Sequence, residues 1–527
     1  MCGIAFTTHP DGIKKFHLIK NRGPSSTTIK SFEYQQYLVS MGVHLLSITG
    51  VKNGEQPFFK NDVYVLCNGE IYNHKELKEK YNLPCTTESD CEVILHLYLM
   101  HRSIRKLNKI RGEFAFIIFD MREGTITYAR DFCGVRPLFI GIDSSKHLHL
   151  SSELKGLAVN GCQVQPGIYH IYRLVDNNEK KVSMSLPSET FIKDALISSV
   201  KDRINTEVPM GFLLSGGLDS SLILSIASRF IPKNEKIIVF TTGFSLDSPD
   251  VLNAKKAIEY LTQRFGDRYI HHIFIPTIEE GLEAIPEVIK AIESYDTATV
   301  RASTPMWLLA RYIRKNTSVK VVLSGEGSDE INGSYLYFHY APDKNSFENE
   351  RKRLVKNIHY YDGIRADRTI SAFGLELRVP FLDIRVVNSV LTSEDIYKSM
   401  RITKIEKYFL RVLFDEYLPP DLLLRTKEDF SDAVSYQWKD RIKSYADSLN
   451  IPDVAYSHIS PTSPEEKWYR NIFEKYYPGQ GLVIPELWLP KWVETNGEPS
   501  ATILSVHQEK LDLESSPLPK HNSRNSF

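Results

Sequence analysis

Near residue 188 the chain changes rhythm, and one layered architecture cannot accommodate both halves. Before that point, short β-rich runs at Tyr64 to Cys67, Glu113 to Asp120, Thr125 to Arg130 and His147 to Ser151 alternate with turn residues. Val93, Ile94, Leu97 and Met100 recur at helical spacing, which predicts a helix over Ser89 to Met100. This half reads as an antiparallel α+β domain. Beyond it, a helix over Ser188 to Ile204 leads to the apolar run Met210 to Leu214, a glycine-rich turn and a helix through Leu222 to Phe230. A strand at Ile237 to Thr241, helices through the 250s and 280s, and a strand at Lys320 to Leu323 follow. Strands alternating with helices predict an α/β doubly wound parallel sheet. The expected boundaries are 2–185 and 186–495, with 496–527 a tail rich in Ser, Pro and charge that is expected to be disordered.

A chain of 527 residues is long enough for two such cores. Lys plus Arg equals Asp plus Glu at 65 each, so no net field recruits nucleic acid or an anionic membrane. The longest apolar runs fall far short of a membrane span. The opening MCGIAF lacks the basic and long apolar regions of a secretory signal. Six cysteines stand without a CxxC pair, which predicts a reducing, cytoplasmic setting and neither a disulfide framework nor a cysteine zinc site.

Cys2 follows the initiator methionine, and so small a side chain permits methionine removal. The new amino terminus would place a thiol nucleophile beside its own α-amine, a ready base. Asn68-Gly69 on its own is a hairpin signal. Taken in order, Cys2, Arg22-Gly23-Pro24, Asn68-Gly69-Glu70 and Ser89-Asp90 resemble the glutaminase domain of class II amidotransferases, an N-terminal-nucleophile sandwich. The resemblance implies that Cys2 attacks the glutamine amide and that Asn68 and Gly69 form an oxyanion hole. It also implies that Glu70 and Asp90 hold the amino-acid end of glutamine, along with the segment Leu45, Leu46, Ser47, Ile48 and Thr49.

The run Leu213-Leu214-Ser215-Gly216-Gly217-Leu218-Asp219-Ser220-Ser221 passes from a predicted strand into a predicted helix. Backbone N–H groups there form an anion cradle. With no GK[ST], it resembles the SGGxDS loop of ATP pyrophosphatases, which cleave ATP to AMP and pyrophosphate. Asp219 is the candidate Mg²⁺ ligand, a carboxylate suited to a hard cation. Val300 to Pro305, Leu323 to Glu330, Glu376 to Asp383 and Arg425 to Asp432 resemble the asparagine synthetases, and the likeness spans roughly residues 1 to 480.

That family resemblance implies ATP as a substrate, bound by Leu213, Ser215, Gly216, Gly217, Asp219, Ser220 and Thr242, with the α-phosphate near Ser324 and Gly325. The β-carboxylate of aspartate would form an aspartyl adenylate, with Arg301 and Lys427 offsetting charge on the departing pyrophosphate. Glu326 is the expected general base for the incoming ammonia, and Asp329 would orient substrate. Ammonia would reach this centre through a dry passage between the domains. No prosthetic group is implied; the partners are aspartate, glutamine and ATP, and a homodimer is expected only because relatives form them.

One position departs from the pattern. Relatives carry an arginine before Leu-Ser-Ile that clasps the glutamine carboxylate; here the residue is Leu45. His44 should face the opposite side of the strand. Free ammonia is therefore an alternative nitrogen donor, and a catalytically silent regulatory relative is a further alternative. Ser25, Ala298 and Ser334 are smaller departures, at positions where aspartate, threonine and glycine are usual.

Overall fold

The computed structural model describes residues 1–50, 53–424, 436–495 and 497–500. The first half is a sandwich of two six-stranded antiparallel sheets. Gly3–Thr7, the strand that follows Cys2, lies inside one sheet between Tyr37–Leu45 and Leu148–Ser151. Val63–Ile71 pairs along its whole length with Gly112–Asp120 in the other, so Asn68-Gly69-Glu70 is extended strand and not the hairpin turn that Asn-Gly signals; Gly69 is needed there for its close approach to the neighbouring strand. Alternating apolar side chains such as Ile4, Phe6, Leu66, Ile117 and Phe119 fill the space between the sheets. Glu92–Leu99 is the expected helix, shorter at its start because Ser89, Asp90 and Cys91 form the approach to it.

The second half carries a five-stranded parallel sheet. The central strand Met210–Leu213 is flanked on one side by Ile237–Thr242 and Tyr269–Phe274, and on the other by Val321–Leu323 and Glu376–Arg378. Order therefore reverses at the first strand, the switch point where open α/β sheets bind ligands. Tyr269–Phe274 and Glu376–Arg378 were not anticipated. The first is half-exposed and interrupted by His271 and His272, and the second spans only three residues.

Buried charges join the halves. Arg22 donates to Glu153 at 2.8 Å and to Asp367 at 2.7 Å. Arg368 reaches Glu153 and Glu293, each at 2.9 Å. Glu113 takes Arg136 at 2.8 Å and Arg203 at 2.9 Å. Removing one partner from such a buried pair costs about 3–5 kcal/mol, so the interface is held in one register.

Residues 497–500 depart from the expected disordered tail. Glu498 accepts from Arg301 at 2.5 Å, and Ser500 is buried. A charged side chain that finds a buried counter-charge is ordered by it, whatever the composition around it. Residues 496 and 501–527 lie outside the described residues.

Candidate active sites

Cys2 is buried, and the backbone N–H of Leu46 points at its Sγ from 3.5 Å. Burial pushes the thiol pKa up, while the nearby amino terminus and the Leu46 N–H pull it down. Cys67, across the sandwich, is near enough to act on that ionisation, and Asn68 follows it. Both amide atoms of Asn68 are fully buried and have no hydrogen-bond partner among the described residues. Such groups are costly unless a ligand completes them. Gly69 is obligatory: a Cβ there would stand 2.2 Å from the carbonyl oxygen of Glu113.

Glu70 accepts from Thr49 Oγ1 at 2.7 Å, and Asp90 Oδ2 from the Ile71 N–H at 2.6 Å. Burial and the neighbouring Asp90 hold the Glu70 pKa well above the usual carboxylate range, against the pull of Arg378. Burial raises that of Asp90 as well. Two adjacent buried carboxylates favour a cationic guest, and an ammonium group meets that need. Leu46 and Ile48 pack into the core of the second domain, and Ser47 donates its N–H to Ser25 Oγ at 3.1 Å.

Leu45 turns toward the sandwich interior. His44 is buried on the opposite side, stacked on Phe16 with ring centroids 3.8 Å apart; its Nδ1 meets Thr27 and its Nε2 the Phe16 carbonyl. No cation replaces the missing arginine from that strand.

The second site is a cavity of about 220 Å³ at the switch point of the parallel sheet. Leu213, Ser215, Gly217, Asp219 and Ser220 line one wall, with Thr242 beside them. Gly216 supports the turn from behind: its φ is +72°, and a Cβ would lie 2.3 Å from the Ala254 nitrogen. Ser324, Gly325, Glu326 and Asp329 form the facing wall. Gly325 lets the two loops touch, since a Cβ would come within 2.9 Å of both Asp219 Cβ and the Ser220 nitrogen. Ser328 Oγ donates to Asp219 Oδ1 at 2.7 Å, and Ser334 Oγ to Asp329 Oδ1 at 2.5 Å. The serine at position 334 thus fixes a carboxylate that glycine could not. Ala298 also lines the cavity.

Four cations line the cavity among the described residues, Arg301, Arg365, Lys407 and Arg411, and three of them are paired with its carboxylates or those at its rim. Lys407 lies between the carboxylates, 2.6 Å from Asp219 Oδ2 and 2.7 Å from Asp329 Oδ1. Arg365 clasps Glu326 with Nη1 at 3.1 Å and Nη2 at 2.6 Å. Burial raises the Glu326 pKa, with Arg365 opposing. Arg301 lines the cavity, but Glu465 holds its Nε at 2.8 Å and its Nη2 at 2.7 Å, while Glu498 takes Nη1. Its charge is thus already balanced. Lys427 lies outside the described residues.

Sequence reasoning missed Lys407 and Arg365. Each stands alone in an ordinary polar stretch, and only the fold carries them to the loops. Asp219 is half-buried in the first turn of its helix, and nothing in the sequence around it indicates which lysine reaches it.

The asparagine synthase family matches residues 192–355 and 347–482, and the glutamine amidotransferase domain matches 1–185. A probable glutamine-hydrolysing asparagine synthetase of Acanthamoeba polyphaga mimivirus is 36% identical over 93% of this chain and 95% of its own. Asparagine synthetase 1 of Lotus japonicus is 39% identical over 89% of this chain and 83% of its own. Asparagine synthetase 2 of Arabidopsis thaliana is 39% identical over 87% and 83%. With both domains matched in order and relatives aligned over nearly their full length, the chain belongs to the glutamine-hydrolysing asparagine synthetase family.

Proposed function

We propose that the chain forms asparagine from aspartate and ATP with ammonia released from glutamine, yielding AMP, pyrophosphate and glutamate. The observation that carries this reading is the cavity in which the Ser215 to Ser220 turn faces Ser324, Gly325 and Glu326, with Lys407 bridging Asp219 and Asp329.

In the first domain, Cys2 is the nucleophile once Met1 is removed, and its own α-amine takes the thiol proton. A terminal amine in this pocket favours its neutral form because burial lowers its pKa, as at Met1. Asn68 Nδ2 and the Gly69 N–H donate to the oxyanion of the tetrahedral intermediate. Glu70 and Asp90 take the glutamine ammonium. Ammonia then crosses the charged but closely packed interface to the second site.

There the glycine turn holds the β- and γ-phosphates, and the aspartate β-carboxylate attacks the α-phosphorus. Asp219 and Asp329 are hard oxygen donors on the cavity wall and fit Mg²⁺. Bound with the phosphates, that ion supplies neutralisation of the pyrophosphate charge. Lys407 supplies a cation at the same place from the protein itself. Glu326, with its raised pKa, accepts a proton as ammonia adds to the adenylate. Arg365 orients that carboxylate and limits its basicity. Six unpaired cysteines support a reducing, cytoplasmic setting.

The test is release of pyrophosphate and AMP from ATP with ammonium as donor. Release that requires aspartate supports the reading; ADP and phosphate as products, or no turnover, would overturn it. Leu45 favours a second reading for the donor, in which ammonia is used better than glutamine.

A further inference from the structure

Residues 497–500 enter the synthetase cavity from the far end of the chain. Pro499 and Ser500 line it beside Ala298, Arg301 and Ala302 of the helix Thr297–Asn316, in the same space that Ser324 and Glu326 face. Ser500 is only 4% exposed, although neither helix nor strand carries it.

Charge fastens this segment. Glu498 Oε1 accepts from Arg301 Nη1 at 2.5 Å, and its Oε2 is paired with Lys443. Glu465 holds the other edge of the same guanidinium, with Nε at 2.8 Å and Nη2 at 2.7 Å. Arg301, Lys443 and Glu465 belong to separate helices, Thr297–Asn316, Tyr436–Ser448 and Pro464–Tyr476. Trp438 ties the second of these to the first by donating its indole N–H to the Arg301 carbonyl at 3.1 Å. Two cations and two carboxylates balance, so the cluster brings no net charge into the interior. Burial opposes ionisation of Glu498, yet Arg301 and Lys443 bring its pKa down to about 2, and the clasp stays charged at neutral pH. An arginine clasped on both edges is a rigid post rather than a free phosphate ligand.

Glu498 also orders its own backbone. Its Oε1 accepts the Ser500 N–H at 3.0 Å, and its N–H donates to the Thr495 carbonyl at 2.9 Å. Pro499 between them has a fixed φ. Ser500 is thereby held against the cavity.

We infer that residues 497–500 are the closing wall of the adenylate centre, and that Glu498 is a positioning residue that holds this wall through Arg301. The inference rests on the aspartate-activating reading of the cavity. An aspartyl adenylate is an activated acyl group, and water competes with ammonia for it. Attack by water forms a new C–O bond at the β-carboxyl carbon and breaks the bond from that carbon to the phosphate oxygen. Aspartate and AMP leave, and the proton goes to solvent. ATP is then consumed without asparagine. A fastened wall keeps water out, so Glu498 governs the yield of asparagine from the adenylate rather than the formation of the adenylate.

The test compares the full-length wild type with Glu498→Ala and Glu498→Asp, with ammonium as donor and pyrophosphate and asparagine measured in the same reaction. The wild type should give one asparagine per pyrophosphate. Loss of the charge pair is expected to favour the open wall about thirtyfold or more, so Glu498→Ala should release pyrophosphate in clear excess over asparagine. Glu498→Asp, which keeps the charge, should bring the ratio back toward one. Glutamate release from glutamine, a reaction of the other domain, should be unchanged in both variants, which separates local opening from misfolding. Ser500→Trp keeps the fastening and places bulk in the cavity, and it should lower aspartate-dependent pyrophosphate release. A ratio that stays at one in Glu498→Ala, or wild-type pyrophosphate release from Ser500→Trp, would overturn the wall and leave the aspartate-activating reading intact. A wild type without aspartate-dependent pyrophosphate release would overturn that reading and this inference with it.

Discussion

Arg378 Nη2 stands 3.5 Å from Glu70 Oε2 across the domain boundary, and the carbonyl of the same arginine accepts the Ser324 N–H at 3.0 Å. One residue of the parallel sheet therefore supports a carboxylate of the glutamine pocket with its side chain and the adenylate loop with its backbone. The two centres are set in register by charges that have no access to water.

That dependence on buried charge gives the interface a pH limit. Glu153 is buried, which opposes ionisation, yet Lys155, Arg368 and Arg22 hold its pKa well below the usual 4.5. A depressed carboxyl contributes stability above its unfolded value and loses it as pH falls toward the folded one. The difference in urea midpoint between wild type and Glu153→Gln is therefore expected to be constant from about pH 7 to about pH 5 and to shrink steadily below 4.5. A difference independent of pH would show that the carboxylate charge is not what holds the halves.

Restoring the missing arginine should restore the clasp on glutamine. Losing one member of a buried charge pair costs roughly 2–5 kcal/mol. Leu45→Arg is expected to lower the glutamine KM about thirtyfold or more by that measure, with ammonia-dependent synthesis unchanged. Steady-state kinetics with each donor decides it. An unaltered glutamine KM would mean that the carboxylate is bound elsewhere.

Lys407 is the cation the glycine loop lacks. Lys407→Met should lower aspartate-dependent pyrophosphate release by about 10²–10³-fold, the usual cost of removing one preorganised donor. Glutamate release from glutamine should be spared. Equal loss in both half-reactions would point to general misfolding instead.

Glu326→Gln should separate the two halves of the synthetase reaction. Adenylate formation, read as pyrophosphate release, is expected to survive, while asparagine formation falls about 10²–10⁴-fold, as for loss of a general base. A variant that makes asparagine at the wild-type rate would move that role elsewhere.

Much of this was legible in the sequence because the chemistry sits in contiguous segments. Asn68-Gly69-Glu70 lies within the last residues of one strand and Ser215 to Ser220 follows another, so backbone geometry and side chains arrive together. The alternation of strand faces also placed His44 away from Leu45 before any coordinates. What escaped notice is assembled by the fold. Lys407 meets Asp219 across 188 positions, and Arg378 meets Glu70 across an interface that periodicity does not reveal. Glu498 read as tail because its neighbours are polar, while its partner Arg301 lies 197 residues earlier.

The central claim is that one chain couples a Cys2 glutaminase to an aspartate-activating centre. Asparagine formation should therefore be measured with glutamine and with ammonium, on the wild type and on Cys2→Ala. The wild type is expected to use both donors, with glutamine the weaker because of Leu45, and Cys2→Ala to use ammonium alone at the wild-type rate. Glutamine-dependent asparagine from Cys2→Ala, or no asparagine from either protein with either donor, would contradict the account.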